Sequence, residues 1–219
     1  MAAEFEGVSL TADGIEVALR AAAAGQPPVR DVEAAQNPAY WAGALGRAAV
    51  HLGCDAALKS ALERLLRSGS PAEIELATAL QRDTRLLPSS ELWSALGASI
   101  DTSARDAILL ALLSQHGKGE LSYDAASLRA LASSPMADST LERALVLLGK
   151  YDADWLVEHA SILGASEAER VSRIGHALTA LGAAEVEALA TRLRHKIGPL
   201  PSELAIDAIV DSLRKSGQA

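Results

Sequence analysis

Sulfur, aromatic rings and positive charge are all scarce in this chain. One cysteine, Cys54, stands among 219 residues, so neither an internal disulfide nor a multi-thiolate zinc site can form. Three Trp, three Tyr and one Phe are few, and β-branched residues are thin between turn signals, which excludes an extensive β-sheet. Lys and Arg number 20 against 28 Asp and Glu, a net charge of -8. Residues 1–110 hold 14 acidic and 9 basic groups and residues 111–219 hold 14 and 11. With no basic half to neutralise phosphates, nucleic acid is excluded as a general partner. The longest apolar run, Ala107 to Leu113, is far short of the ~20 residues a membrane helix needs. Glu4 and Glu6 stand where a signal peptide has its basic start and apolar run. The expectation is a cytoplasmic protein with no membrane partner.

Catalytic constellations are missing as well. There is no Gly-x-Ser-x-Gly elbow and no glycine-rich phosphate loop ending in Lys-Ser/Thr. His51, His116, His159, His176 and His195 include no pair at the i, i+3 or i, i+4 spacing that sets two metal ligands on one helix face. Cys54 adjoins Asp55, which disfavours a thiolate and suits a structural thiol. The acid pairs Asp152/Asp154, Glu167/Glu169 and Glu185/Glu187 fall in first helical turns, and the basic run Arg192-Leu193-Arg194-His195-Lys196 falls in last turns. The helix dipole accounts for both placements. No catalytic, cofactor-binding or metal residue is therefore assigned, and no cofactor is expected.

Helix formers fill the space these absences leave: 45 Ala and 34 Leu, 79 of 219 residues. Ser followed three residues later by an acid forms a capping box, and Ser70–Glu73, Ser103–Asp106, Ser139–Glu142 and Ser166–Glu169 each precede an apolar run. Ser202-Glu203 adds a fifth start, and a second series falls near Ser90, Ser122, Asp152 and Gly182. The first series repeats at a mean of 33 residues and the second at 30 to 32, about the length of a helix hairpin. Gly69, Gly117, Gly149, Gly164, Gly182, Gly198 and Gly217 follow periodic runs as helix stops, with prolines in the gaps. Upstream, Asp13 to Ala24 is one helix and Pro38 opens another that runs to about Leu52. The pattern predicts about 13 helices in an all-α fold. Residues 1–54 are N-terminal helices continuous with hairpin repeats over 55–219, a single domain overall.

The helices that follow Ser103 and Ser139 are apolar all round and so belong in the middle of the assembly. Gly43 and Gly46, three apart on one helix, mark a close helix approach. Trp93, Tyr123 and Trp155 recur 30 and 32 residues apart in second-series helices, and Trp41 holds a comparable place after Pro38. Such rings either pack between hairpins or form a row of partner-binding anchors.

Trp93-x-x-Leu96-Gly97 and the two-helix period resemble the α-solenoid superfamily in its HEAT-like or tetratricopeptide-like sense, although Ile100 stands where the tetratricopeptide pattern has Tyr. The resemblance covers about residues 55–216. It implies tandem antiparallel hairpins in a right-handed solenoid or a compact helical-repeat bundle, and a tendency to bind proteins. The expected function is a non-catalytic protein–protein interaction module, either an adaptor or an immunity-type inhibitor of a basic partner protein. Self-association of Ala-rich faces is the structural alternative. A site between helices that uses carboxylates with His159 or His176 is the enzymatic one.

Overall fold

Short polar side chains next to apolar periodicity start several of the described helices. In the computed structural model, which describes residues 8–28, 37–116, 124–133, 138–159, 173 and 177, the side chain of Thr11 accepts from the Gly14 amide at 3.2 Å and opens α1 (Ala12–Ala23). Asn37 accepts from the Tyr40 amide at 3.1 Å and Pro38 takes the first turn of α2 (Pro38–His51), where a missing N–H costs nothing. There follow α3 (Asp55–Arg67), α4 (Pro71–Thr84), α5 (Ser89–Ala98), α6 (Thr102–His116), α7 (Ala125–Ala132), α8 (Asp138–Tyr151) and α9 (Ala153–Glu158). The described residues contain helices and no strand, and no helix among them is long and apolar enough to cross a membrane. The all-α class is as expected.

Contacts gather the chain into two compact units, Met1–Ser122 and Tyr123–Ala219. In the first, α1 packs on α2, α3 and α4, α3 packs on α4 and α5, and α6 packs on α4 and α5. Ile15, Leu19, Leu45, Leu58, Leu62, Leu65, Leu92, Ile108, Leu109 and Leu112 form its interior. Full burial of each such side chain contributes about 1.5–3 kcal/mol. Gly46 of α2 makes room for Leu80 of α4: a Cβ there would stand 2.9 Å from Leu80 Cδ2, whereas one on Gly43 would meet only its own helix's Arg47. The close approach thus belongs to Gly46.

Charged side chains tie α1 down from two sides. Arg64 of α3 reaches Asp13 at 2.5 Å and Glu16 at 2.8 Å, and Arg20 reaches Glu16 at 2.9 Å and Glu73 of α4 at 2.6 Å. The hydrogen bond from Arg64, followed by the bond and charge of Arg20, holds the Glu16 carboxyl below its ordinary range against the opposing effect of burial. Below α4, the Gln81 side chain brackets the backbone of Leu87: the Leu87 amide donates to Gln81 Oε1 at 2.8 Å, and Gln81 Nε2 donates to the Leu87 carbonyl at 2.8 Å. Gln115 of α6 donates to the same carbonyl at 3.1 Å. Buried amides left unpaired are costly, so this loop is held by side chains where no helix neighbour is available.

In the second unit α8 packs against α7 and α9, with Leu128, Leu145, Leu148 and Leu156 inside. Asp124 caps α7 through the Ser127 amide and hydroxyl, and the hydroxyl bond is the first of the effects that hold its carboxyl below the ordinary range. Burial pushes the Tyr151 phenol up.

Several expected boundaries shift. Ser70 occupies the cap position of α4, yet its side chain makes no capping bond. The helix expected from Ser103 begins at Thr102, because Asp101 takes the Ala104 amide at 3.0 Å while the Ser103 hydroxyl donates to Asp101 at 2.7 Å. A carboxylate is the stronger acceptor for a free amide, so it captures the cap. Gly149 lies inside α8 and does not end it; a Cβ there would collide with the Ala177 carbonyl, so the residue is kept small by packing. Gly69 does stop α3, with φ of +77°. The starts near Ser122, Ser166, Gly182 and Ser202, and the stops at Gly117, Gly164, Gly182, Gly198 and Gly217, lie outside the described residues.

Candidate functional site

The sequence-assigned aromatic residues fall in different settings. Trp41 and Trp93 are 3% and 4% exposed, one in α2 and one in the middle of α5, and both rings contribute to the interior of the first unit. Tyr123 lies outside the described residues. Trp155 in α9 is half-buried, and the exposed His159 ring stacks on it at 4.6 Å between centroids, with His159 Nδ1 2.9 Å from the Trp155 carbonyl oxygen. Arg129 of α7 stands 5.7 Å from the Trp155 ring centroid while its Nε donates to Asp152 at 2.5 Å. Cation–π and charge-assisted bonds of this kind dock α7 against the start of α9.

No three His, Cys, Asp or Glu side chains among the described residues are placed to hold a metal ion. Cys54 is half-buried, with its Sγ 3.8 Å from the Leu52 carbonyl. His176, His195, the acid pairs Glu167/Glu169 and Glu185/Glu187, and the basic run Arg192–Lys196 lie outside the described residues.

A groove of about 380 Å³ opens elsewhere on the first unit, where none of the assigned aromatic residues lies. It forms because α5 presents Ser94, Ala95 and Ala98, at i, i+1 and i+4, on one side of the helix. These side chains are too small to reach the end of α3 and the start of α4, so Leu66 and Ile74 line the floor. Arg67 and Glu91 form an ion pair at 2.9 Å on the rim. The α5–α6 loop closes the groove with Ser99, Ile100 and Asp101, and Arg105 steadies that loop by donating to the Ser99 carbonyl at 2.7 Å.

Two residues of the loop give the groove its chemistry. Ile100 is 90% exposed, the most exposed large apolar side chain among the described residues. Asp101 is held below the ordinary carboxylate range, first by the Ala104 amide and then by the Ser103 hydroxyl, so it is ionised at neutral pH. Its described hydrogen bonds come from these neutral donors, and no described cation pairs with it. The groove combines an apolar floor, an unburied aliphatic lip and a charged rim. Such a surface can hold an amphipathic segment, and it carries no nucleophile–base pair. The signal in the sequence was Ile100 itself, a lone aliphatic residue between Ser99 and Asp101 in an interhelical loop.

Comparison of the chain with family models, with curated proteins and with solved structures finds no match.

Proposed function

We propose that this chain is a non-catalytic protein–protein interaction module, an adaptor or an immunity-type inhibitor, that docks a partner protein in the groove beside Ile100. The observation that carries this reading is the 90% exposed Ile100 at the mouth of a groove with an apolar floor. Apolar anchors beside a cleft with a polar rim are the usual anatomy of a docking site. The net charge of -8 favours a basic partner and speeds encounter with it. The half-buried lone thiol fits a cytoplasmic setting.

The helix contacts of the first unit support a repeated-hairpin plan of the HEAT-like or tetratricopeptide-like kind. Pairs α1/α2, α3/α4 and α5/α6 alternate with side-by-side contacts α1/α3, α3/α5, α2/α4 and α4/α6, the pattern expected of stacked hairpins in an α-solenoid.

The test compares two forms of the full chain isolated from its native cells at low salt, wild type and Ala98→Arg. A stoichiometric partner bound to the wild type and lost from the variant is the expected outcome. A partner retained equally by both places docking on another surface, and an unaccompanied monomer in both cases sinks the reading.

A further inference from the structure

Resting on that docking reading, we infer that the occupant of the groove is a basic amphipathic segment of another protein, carrying an aliphatic side chain next to a Lys or Arg. The floor sets the first requirement. Leu66, Ile74, Ala95 and Ala98 line it beside Ser94 and Ser99, so an aliphatic side chain suits it, with the 90% exposed Ile100 at its mouth. The rim sets the second. Asp101 is ionised and has no cationic partner among the described residues, while Glu91 on the rim is engaged by Arg67 through Oε2. An ammonium or guanidinium on the entering segment answers the charge of Asp101. A second copy of this chain, at -8 against -8, brings like charges together, and an acidic segment meets Asp101 with the wrong sign.

The experiment uses the full chain and three synthetic helical probes of equal length: one with a leucine face and a lysine face, one with glutamate in place of lysine, and one with alanine in place of leucine. Binding is read by calorimetry and by amide shifts in nuclear magnetic resonance. The leucine/lysine helix is expected to bind 1:1 and about tenfold or more tighter than either of the others, with shifts centred on Ile100, Asp101 and α5. Ala98→Arg, an exposed position that leaves the helix intact, weakens that binding by about tenfold. Asp83→Lys at the far end of α4 changes it less than about twofold.

Equal binding of the glutamate helix, still lost in Ala98→Arg, overturns the basic occupant and leaves the docking groove standing. Binding of the lysine helix that Ala98→Arg does not weaken overturns the groove as its site. No binding of any probe overturns the inference. So does a dimer of the protein alone that Ile100→Asp dissociates, which would make a second copy the occupant.

Discussion

Replacing Gln81 by Leu, a side chain of similar size, removes the bracket on Leu87 without opening a large cavity. Two hydrogen bonds of 2.8 Å disappear, together worth about 1–3 kcal/mol net. The Leu87 amide, on a residue 2% exposed, is then left with no described acceptor, which adds about 1–3 kcal/mol of desolvation. The Leu87 carbonyl fares better, because Gln115 still donates to it. New apolar contact of the Leu side chain offsets part of the loss, so Gln81→Leu is expected to destabilise the first unit by about 2–4 kcal/mol. Gln115→Leu deletes one longer bond of 3.1 Å, leaves the carbonyl paired with Gln81, and removes Gln115 Oε1, a buried acceptor with no partner. Its cost is about 0–1 kcal/mol. The contrast is measured by urea unfolding at 25 °C in a Trp155→Phe background, so that fluorescence comes from Trp41 and Trp93 of the first unit. With a slope of about 2 kcal/mol per molar, Gln81→Leu lowers the midpoint by about 1–2 M and Gln115→Leu by less than about 0.5 M. Equal losses in the two variants, or a loss under about 1 kcal/mol for Gln81→Leu, would refute the bracket as the element that holds the loop.

Further outcomes follow from other contacts. Glu16→Gln removes a carboxylate whose folded pKa lies below its ordinary 4.5. The stabilisation it provides is therefore present above pH 4.5 and fades as pH falls through the lowered folded value, so the difference from wild type, about 1 kcal/mol at pH 7, closes to zero in acid. Urea midpoints taken from pH 7 to pH 3 check this, and a difference constant with pH would count against it. Gly149→Ala drives a methyl into the Ala177 carbonyl and costs the second unit about 1–3 kcal/mol. Gly97→Ala, with open space around its Cβ, stabilises α5 by about 0.5–1 kcal/mol. Thermal unfolding of the two glycine variants should move in opposite directions. Arg85 sits in left-handed backbone at φ +56° after α4, so Arg85→Gly raises stability by up to about 1 kcal/mol in the same assay.

Local chemistry made much of this fold readable. Asn37-Pro38 and Gly69 act through their own backbone neighbours, so their helix ends could be placed from a few residues, whereas the Thr11 cap of α1 was not picked out. Asp101 and Ser103 compete for one cap, and composition alone does not rank them without the geometry of the Ala104 amide. Gly149 reads as a stop because the residue that needs its smallness, Ala177, stands 28 positions away in sequence. The recurrence of Trp93 and Trp155 was visible, but periodicity does not say whether a ring faces inward, and the two differ. The groove was hidden for the opposite reason. It is made by what Ser94, Ala95 and Ala98 fail to fill, and a shortage of side-chain volume leaves no periodic mark.

Loop amides ordinarily trade their protons with water through small local openings, far more readily than amides inside helices. Leu87 lies in a loop, yet its N–H ends on a Gln81 side chain that is 1% exposed, and its carbonyl is gripped from both α4 and α6. Water reaches that proton once the Gln81 bond opens, and the shared grip of Gln81 and Gln115 on the carbonyl couples that opening to movement of α4 and α6. The Leu87 amide is thus a clock for rupture of the whole first unit: its deuterium uptake should keep pace with the slowest helical amides around it, and a bound partner that tightens the unit would slow all of them together.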